Sequence, residues 1–136
     1  MKYLVDPQLI TAILDVKSKL SKRITAWLEE HRTDEILLAP TSYIALSPAF
    51  MGNQATQDRF LSNLGIKVAK QASAKVMDDA YAVWNRFQEE TTRVKGGGFV
   101  FDQLYIGAFA LQYDGLLTRH GDLYRRYFKD LNVIEP

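Results

Sequence analysis

Several residue types and patterns are missing from this sequence, and each absence excludes a class of protein. The chain has no cysteine, which excludes a disulfide scaffold, a thiolate metal site and a cysteine nucleophile, and which fits a reducing compartment. No apolar run approaches the roughly 20 residues that a membrane-spanning helix needs. We expect no secretory signal either, because the short apolar stretch at the start meets a charge at Asp6. The expectation is a soluble, cytoplasmic protein that has no membrane partner.

The chain also lacks an excess of charge of either sign. Lysine and arginine total 17 against 16 aspartates and glutamates, which gives a formal net charge of +1, and neither half of the chain forms a basic arm. Any contact with nucleic acid must therefore come from a local patch of basic side chains rather than from bulk attraction. With 136 residues, 47% hydrophobic and 24% charged, the chain is predicted to form one globular domain over residues 1–136.

What is present is an alternation of short apolar runs with amphipathic segments. The runs predict β-strands at residues 3–5, 36–39, 66–68, 115–118 and 132–134. Helices are predicted around apolar positions 9–14, 20–28 and 60–64, and over 41–50, 72–90 and 101–113. Asp6-Pro7 is a helix start, and Gly96–Gly98 predicts a flexible connection. This order predicts an α/β fold: a three-layer α/β/α sandwich around a mostly parallel sheet of about four or five strands.

Polar side chains follow several of the predicted strands. In an open α/β sheet, ligands bind outside the carboxyl ends of the strands. The candidates at that edge are Asp6, Thr41, Ser42, Arg119, His120 and Asp122. Asp102 joins them if its helix runs antiparallel to the strands that it packs on. Two aspartates, a histidine and hydroxyls at one edge indicate a metal or phosphate site.

Each of these residues also has a purely structural interpretation. Asp6 suits the N-cap of the first helix, Asp102 the first turn of another helix, and His120 a solvated loop. His31, which lies in a charged stretch, is interpreted as a surface residue. The glycine triplet lacks the flanking signals of a phosphate-binding loop, and no Gly-x-Ser-x-Gly supports a serine nucleophile.

Four segments occur in a recognisable order: MKYLVD (1–6), YIALSPAF (43–50), FDQLYIGAFA (101–110), and LLTRH (116–120) with YRRYF (124–128) behind it and a final Pro136. They resemble, in that order, the opening strand with its first aspartate, the glutamate-bearing helix, the third-acid motif and the closing segment of PIN domains. PIN domains are the fold of VapC-like toxin ribonucleases. The resemblance runs nearly end to end, and the two C-terminal motifs are its specific part.

The resemblance implies metal-dependent endoribonuclease chemistry with a quartet of carboxylates around Mg²⁺ or Mn²⁺. Asp6 and Asp102 match two of the acids, and Thr118 matches the closing motif. Ala45 stands where the glutamate is expected, and His120 stands where the last aspartate is expected. Half of the expected negative charge is therefore absent, and we expect Mg²⁺ binding to be weakened or lost.

Two substitutes for the missing acids follow from the neighbouring residues. Mn²⁺ or Zn²⁺ could use Asp6, Asp102 and His120, because imidazole suits those ions better than it suits Mg²⁺. Asp122, two residues beyond His120, is a substitute metal ligand in a loop. Ser47 does not replace position 45, since residues two apart on a helix do not share a face.

Three functions stay open at this point. The first is a residual metal-dependent ribonuclease, in which His120 ligates the metal or moves a proton, and in which Thr118, Arg119, Arg125 and Arg126 contact RNA. For these arginines the alternative is a solvated helix face above buried Tyr124 and Phe128. The second function is an inactive RNA- or protein-binding module. The third is an interaction subunit that forms homodimers. For a toxin–antitoxin protein, the resemblance implies a small antitoxin partner.

Overall fold

A computed structural model describes residues 1–91 and 100–136 and contains one five-stranded sheet in that part of the chain. The strands are β1 (Lys2–Val5), β2 (Glu35–Leu38), β3 (Ile66–Val68), β4 (Gly115–Leu117) and β5 (Val133–Ile134). Their spatial order is β3-β2-β1-β4-β5, and every neighbouring pair is parallel. The predicted strands and the parallel sheet are therefore confirmed.

Helices connect these strands. They are α1 (Pro7–Leu14), α2 (Lys19–Glu30), α3 (Pro40–Ala45), α4 (Gln54–Asn63), α5 (Ala74–Thr91), α6 (Val100–Ala110) and α7 (Gly121–Tyr127). The helix predicted over 41–50 ends at Ala45 and continues as a 3₁₀ turn, Ser47–Phe50, because Pro48 has no amide hydrogen and crowds the preceding turn. Gly65 adopts φ +75° just after α4, a conformation that suits glycine. The predicted flexible connection at Gly96–Gly98 lies outside the described residues.

The sheet separates two hydrophobic clusters. Leu4 and Leu116 point to the cluster formed with α5, α6 and α7, whereas their neighbours Tyr3, Val5 and Leu117 point to the cluster formed with α1, α2 and α4. Alternate residues of a strand face opposite sides of a sheet, so strands covered on both faces are apolar throughout. The predicted three-layer α/β/α arrangement is confirmed.

Strand order reverses at β1, which lies between β2 and β4. From β1 the chain proceeds to β2 and β3 on one side and returns to β4 and β5 on the other. A crevice forms at such a switch point, outside the carboxyl ends of the two central strands. Asp6 follows β1 and Thr118 follows β4, and the Asp6 amide donates to the Leu117 carbonyl oxygen at 2.8 Å. The topology thus places the residues after β1 and β4 side by side.

Within residues 1–91 and 100–136, no helix combines the length and the apolar character that crossing a bilayer requires.

Candidate functional site

Asp6 is the buried centre of a hydrogen-bond network at the switch point. Its side chain is 1% exposed. One carboxylate oxygen, Oδ1, accepts the Gln8 amide at 3.0 Å, and Pro7 occupies the first position of α1. This is the N-cap that the sequence predicts. The other oxygen, Oδ2, accepts the Thr118 hydroxyl at 2.9 Å and the Tyr124 hydroxyl at 3.0 Å. Asp6 therefore caps α1 and also joins α1 to β4 and α7.

Tyr124 is the residue of this network that sequence reasoning treated only as buried packing. Its side chain is fully buried on α7. Burial raises the pKa of the Tyr124 phenol far above its ordinary value, and the charge of Asp6 and the hydrogen bond to it add to that rise. The phenol consequently stays protonated and donates to Asp6. The available signal was the residue type, since a buried tyrosine, unlike a phenylalanine, needs a partner for its hydroxyl.

A cavity of about 290 Å³ opens beside Asp6. Its described lining is Asp6, Pro7, Gln8, Thr41, Ser42, Ile44, Ala45, Asp102, Gln103 and Ile106. The first turn of α6 carries Asp102, and α3 carries Ala45 at its last turn. Three of the four positions at which the resemblance implies an acid, namely 6, 45 and 102, therefore line one cavity. Asp102 is exposed at this cavity, whereas Asp6 is enclosed.

Ser42 lies in the same cavity wall. It is 3% exposed, and its hydroxyl oxygen has no hydrogen-bond partner among the described residues. Ser42 and Ala45 are three residues apart on α3, so they share one face of that helix. The sequence placed Thr41 and Ser42 at the end of the second strand, but nothing in it distinguished the exposed threonine from the buried serine.

His120 and Asp122 are not brought into this cavity. His120 is exposed at the N-cap of α7, where its backbone amide donates to the Thr118 hydroxyl at 3.1 Å. Asp122 is exposed on the first turn of α7, 3.9 Å from the Arg125 guanidinium. Neither belongs to the described lining of the cavity. In the part of the chain that the structure describes, no three His, Asp or Glu side chains are grouped so that they could hold a metal ion.

The predicted RNA-contacting residues fall into different environments. Thr118 is completely buried and its hydroxyl donates to Asp6, so its structural role is to hold that carboxylate; its contact with RNA stays a prediction. Arg125 pairs with Glu135 at 3.3 Å and Arg126 with Glu90 at 3.6 Å, on an exposed helix face. Tyr124 and Phe128 are buried beneath, as the helix-face interpretation expects, and contact of the two arginines with RNA stays a prediction.

Arg119 lies at a second cavity, of about 400 Å³, which Arg23 and Glu135 also line. A hydrogen bond from the Gly121 amide lowers the pKa of Glu135, and Arg125 and the charge of His120 lower it further. This cavity also contacts Thr118. It therefore lies beside the Asp6 network, and Arg119, which lines it, is exposed; contact of Arg119 with RNA stays a prediction.

His31 differs from its predicted role as a simple surface residue. Its ring stacks on Trp27 with the centroids 3.6 Å apart, and Nδ1 lies 2.7 Å from the Trp27 carbonyl oxygen. The side chain is partly buried at the end of α2 and away from the cavity. His31 is therefore partly buried rather than a simple surface residue, because the end of α2 brings His31 against Trp27, four positions earlier.

The donor set of the cavity fits a divalent cation only as a two-carboxylate site. Mg²⁺ is often bound by one or two carboxylates, with waters and substrate phosphates completing its six ligands. Asp6 Oδ2 already accepts two hydroxyls and Oδ1 accepts the Gln8 amide, so an ion would have the second lone pair of Oδ1 together with the carboxylate of Asp102. Two carboxylates attract a cation less strongly than four. The residues therefore fit a weakly held ion.

No protein-family profile and no curated protein sequence matches this chain. Among solved structures, a chain of VapBC-1 from nontypeable Haemophilus influenzae superposes with a TM-score of 0.70 at 18% identity, covering 99% of this chain and 98% of that one. A chain of VapBC2 from Rickettsia felis, solved bound to a DNA fragment from the promoter of those proteins, gives a TM-score of 0.65 at 17% identity, with 98% of both chains covered. The chain thus has the fold of these VapBC chains over nearly its whole length.

Proposed function

We propose that this chain is the PIN-domain component of a VapBC-type toxin–antitoxin pair and that its cavity is a metal-dependent endoribonuclease centre with weakened Mg²⁺ binding. The observation that supports this most is the meeting of Asp6 and Asp102 in one cavity at the switch point of the sheet. The fold shared with VapBC chains supports the toxin–antitoxin context. Capping of α1 requires only Asp6. It does not explain why a second carboxylate, that of Asp102 on α6, lines the same cavity.

The residues of this centre would divide the work as follows. Thr118, Tyr124 and the Gln8 amide hold the Asp6 carboxylate in one orientation at the cavity, so it would need no rearrangement to meet a cation. Asp102 supplies the second negative charge from α6. A divalent cation bound there would stabilise charge on the scissile phosphate and activate water. Arg119 and Arg23, exposed at the neighbouring cavity, would attract the RNA backbone.

A second candidate function is a binding module that no longer cleaves RNA. It is favoured by Ala45, which cannot ligate a metal, and by the position of His120 outside the cavity lining. In this case the fold and the cavity would serve recognition of RNA, of a small antitoxin or of a second copy of the chain. Size-exclusion chromatography with light scattering tests the homodimer directly.

Metal binding and cleavage separate the two candidates. The purified chain is titrated with Mg²⁺ and Mn²⁺ by calorimetry and is then incubated with structured RNA. The nuclease proposal expects Mn²⁺ binding and site-specific cleavage, both lost in Asp102→Asn. This variant should fold, because Asp102 is exposed. Absence of both heat and cleavage in the parent chain would leave the binding module.

Restoring the missing acid tests the assignment of the quartet. We expect Ala45→Glu with His120→Asp to raise Mg²⁺ affinity at least about tenfold, which is about 1.4 kcal/mol. Since Ala45 lines the cavity and His120 does not, Ala45→Glu alone should supply most of that gain. The matched control is Ala49→Glu, on the exposed surface of the 3₁₀ turn and outside the described lining. Equal Mg²⁺ affinity in Ala45→Glu and the parent chain would refute the assignment.

The antitoxin partner is tested by co-expression. If a small open reading frame adjoins the gene, its product should co-purify with this chain and should protect the cavity. Protection is measured as the loss of Mn²⁺ binding in the complex. A neighbouring product that forms no complex would remove the toxin–antitoxin part of the proposal and leave the metal site unaffected.

A further inference from the structure

Ser42 is an exception among the buried polar side chains of the described residues. The others each have a partner: the Thr118 hydroxyl donates to Asp6, Ser21 donates to the Ile13 carbonyl oxygen at 2.9 Å, and Gln57 donates to the Tyr43 carbonyl oxygen at 2.7 Å. Within residues 1–91 and 100–136, the Ser42 hydroxyl is the buried side-chain group without one. Buried hydroxyls are normally paired, and one that is not points to a bound ligand or water.

Ser42 belongs to the same cavity wall as the two carboxylates. Ser42 lines the same cavity as Asp6 and Asp102, and it precedes Ala45 by three residues on α3. Residues with this spacing lie on one face of a helix. The structure thus places Ser42 about one helical turn before Ala45, in the wall of the cavity that both carboxylates line.

The charges and hydrogen-bonding groups of the cavity determine which class of ligand can bind beside the Ser42 hydroxyl. Asp6 and Asp102 are acceptors that repel anions, and no lysine or arginine belongs to the described lining. The cavity therefore favours a ligand that brings positive charge and several hydrogen-bond donors. A hydrated divalent cation has both, because such ions keep several waters and each metal-bound water donates.

Resting on the proposed function, we propose that Ser42 is a third protein contact for a divalent cation in this cavity, with its hydroxyl oxygen hydrogen-bonded to a water of the hydration shell. Ser42 is then a positioning residue that acts through water. It partly compensates for Ala45 without restoring the missing charge. A neutral contact of this kind strengthens binding much less than a carboxylate would.

Calorimetric titration of the whole chain with Mn²⁺ tests this contact. We expect Ser42→Ala to weaken Mn²⁺ binding about threefold to tenfold, the loss that one net hydrogen bond represents. Ser47→Ala is the matched control, since it makes the same chemical change outside the described lining and should bind like the parent chain. Thermal unfolding without metal supplies a second measurement. Ser42→Ala should be at least as stable as the parent chain, because it removes an unpaired buried hydroxyl.

Every other outcome contradicts the proposed contact between Ser42 and the hydrated cation, and each identifies which part of the proposal fails. If the parent chain binds Mn²⁺, Asp102→Asn does not, and Ser42→Ala binds like the parent, this inference fails while the proposed function stands. If the parent chain itself binds no Mn²⁺, both the contact and the metal site fail. A lower melting temperature of metal-free Ser42→Ala would show that the hydroxyl has a structural partner. Ser42-dependent binding of methylguanidinium in place of Mn²⁺ would assign the group to an organic cation.

Discussion

The hydroxyl of Tyr124 offers the sharpest test of the network that holds Asp6. Tyr124→Phe removes a single oxygen from a fully buried ring and leaves the packing of α7 unchanged. The lost interaction is a hydrogen bond of 3.0 Å to a carboxylate. Hydrogen bonds to charged groups contribute about 1.5–3 kcal/mol. Thr118 continues to donate to the same oxygen at 2.9 Å, so we expect a loss near the lower end, about 1.5–2 kcal/mol.

The pH dependence of the free energy of unfolding tests the same network independently, because the direction of its change follows from the pKa of Tyr124. The pKa of Tyr124 lies above its ordinary value of 10.0, chiefly because the phenol is buried. Above pH 10 the unfolded chain releases the phenol proton while the folded chain keeps it. Deprotonation therefore stabilises the unfolded state relative to the folded state. The contribution is therefore complete below pH 10 and is lost as pH rises above it, by about 1.4 kcal/mol per pH unit. Tyr124→Phe should remove this part of the alkaline slope.

The assay is urea unfolding followed by circular dichroism at pH 7 and at two values above pH 10. In a separate thermal scan at pH 7, the same loss should lower the melting temperature by about 5–8 °C for a chain of this size. Tyr81→Phe is the matched control, because Tyr81 is 72% exposed and should tolerate the change at every pH. Equal stability of Tyr124→Phe and the parent chain at pH 7, with the same alkaline slope, would refute the network.

Two further substitutions test the packing around this site. Alanine usually stabilises a helix relative to glycine, but at Gly107 a Cβ atom would clash with the Phe128 ring. We expect Gly107→Ala to lower the free energy of unfolding by about 1–3 kcal/mol and Phe128→Leu to recover part of that loss; a stabilised Gly107→Ala would contradict the contact. His31→Ala should cost about 1 kcal/mol in urea unfolding and change the fluorescence of Trp27, since it removes a stacked ring and a hydrogen bond to the end of α2. No change in either signal would contradict that stack.

Local patterns in the sequence predicted the layers of the fold well. Fully apolar runs such as Tyr3–Val5 identified strands covered on both faces, and Asp6-Pro7 identified the start of α1. Element boundaries were predicted less accurately, because they depend on local competition between backbone conformations. The helix predicted over 101–113 ends at Ala110, and the one predicted over 41–50 changes to a 3₁₀ turn at Ser47.

The candidate site was predicted in part. Motif order indicated that Asp6 and Asp102 belong together, and they line one cavity. The same motifs placed His120 at the site, but it lies at the N-cap of α7 instead, outside the described lining. A motif records which residues follow one another, whereas the direction of a side chain depends on the turn that carries it.

The sequence by itself determined the alternation of strands and helices, because this depends only on residue types and their spacing. That Ala45 and His120 replace two acids is what the resemblance to PIN domains implies. Only the tertiary structure decided that Thr118 and Tyr124 hold Asp6 and that Ser42 has an unpaired hydroxyl at the cavity. Asp6 is 112 residues from Thr118 and 118 from Tyr124 along the chain. Contacts over such separations arise from the parallel pairing of β1 with β4, which no local pattern specifies.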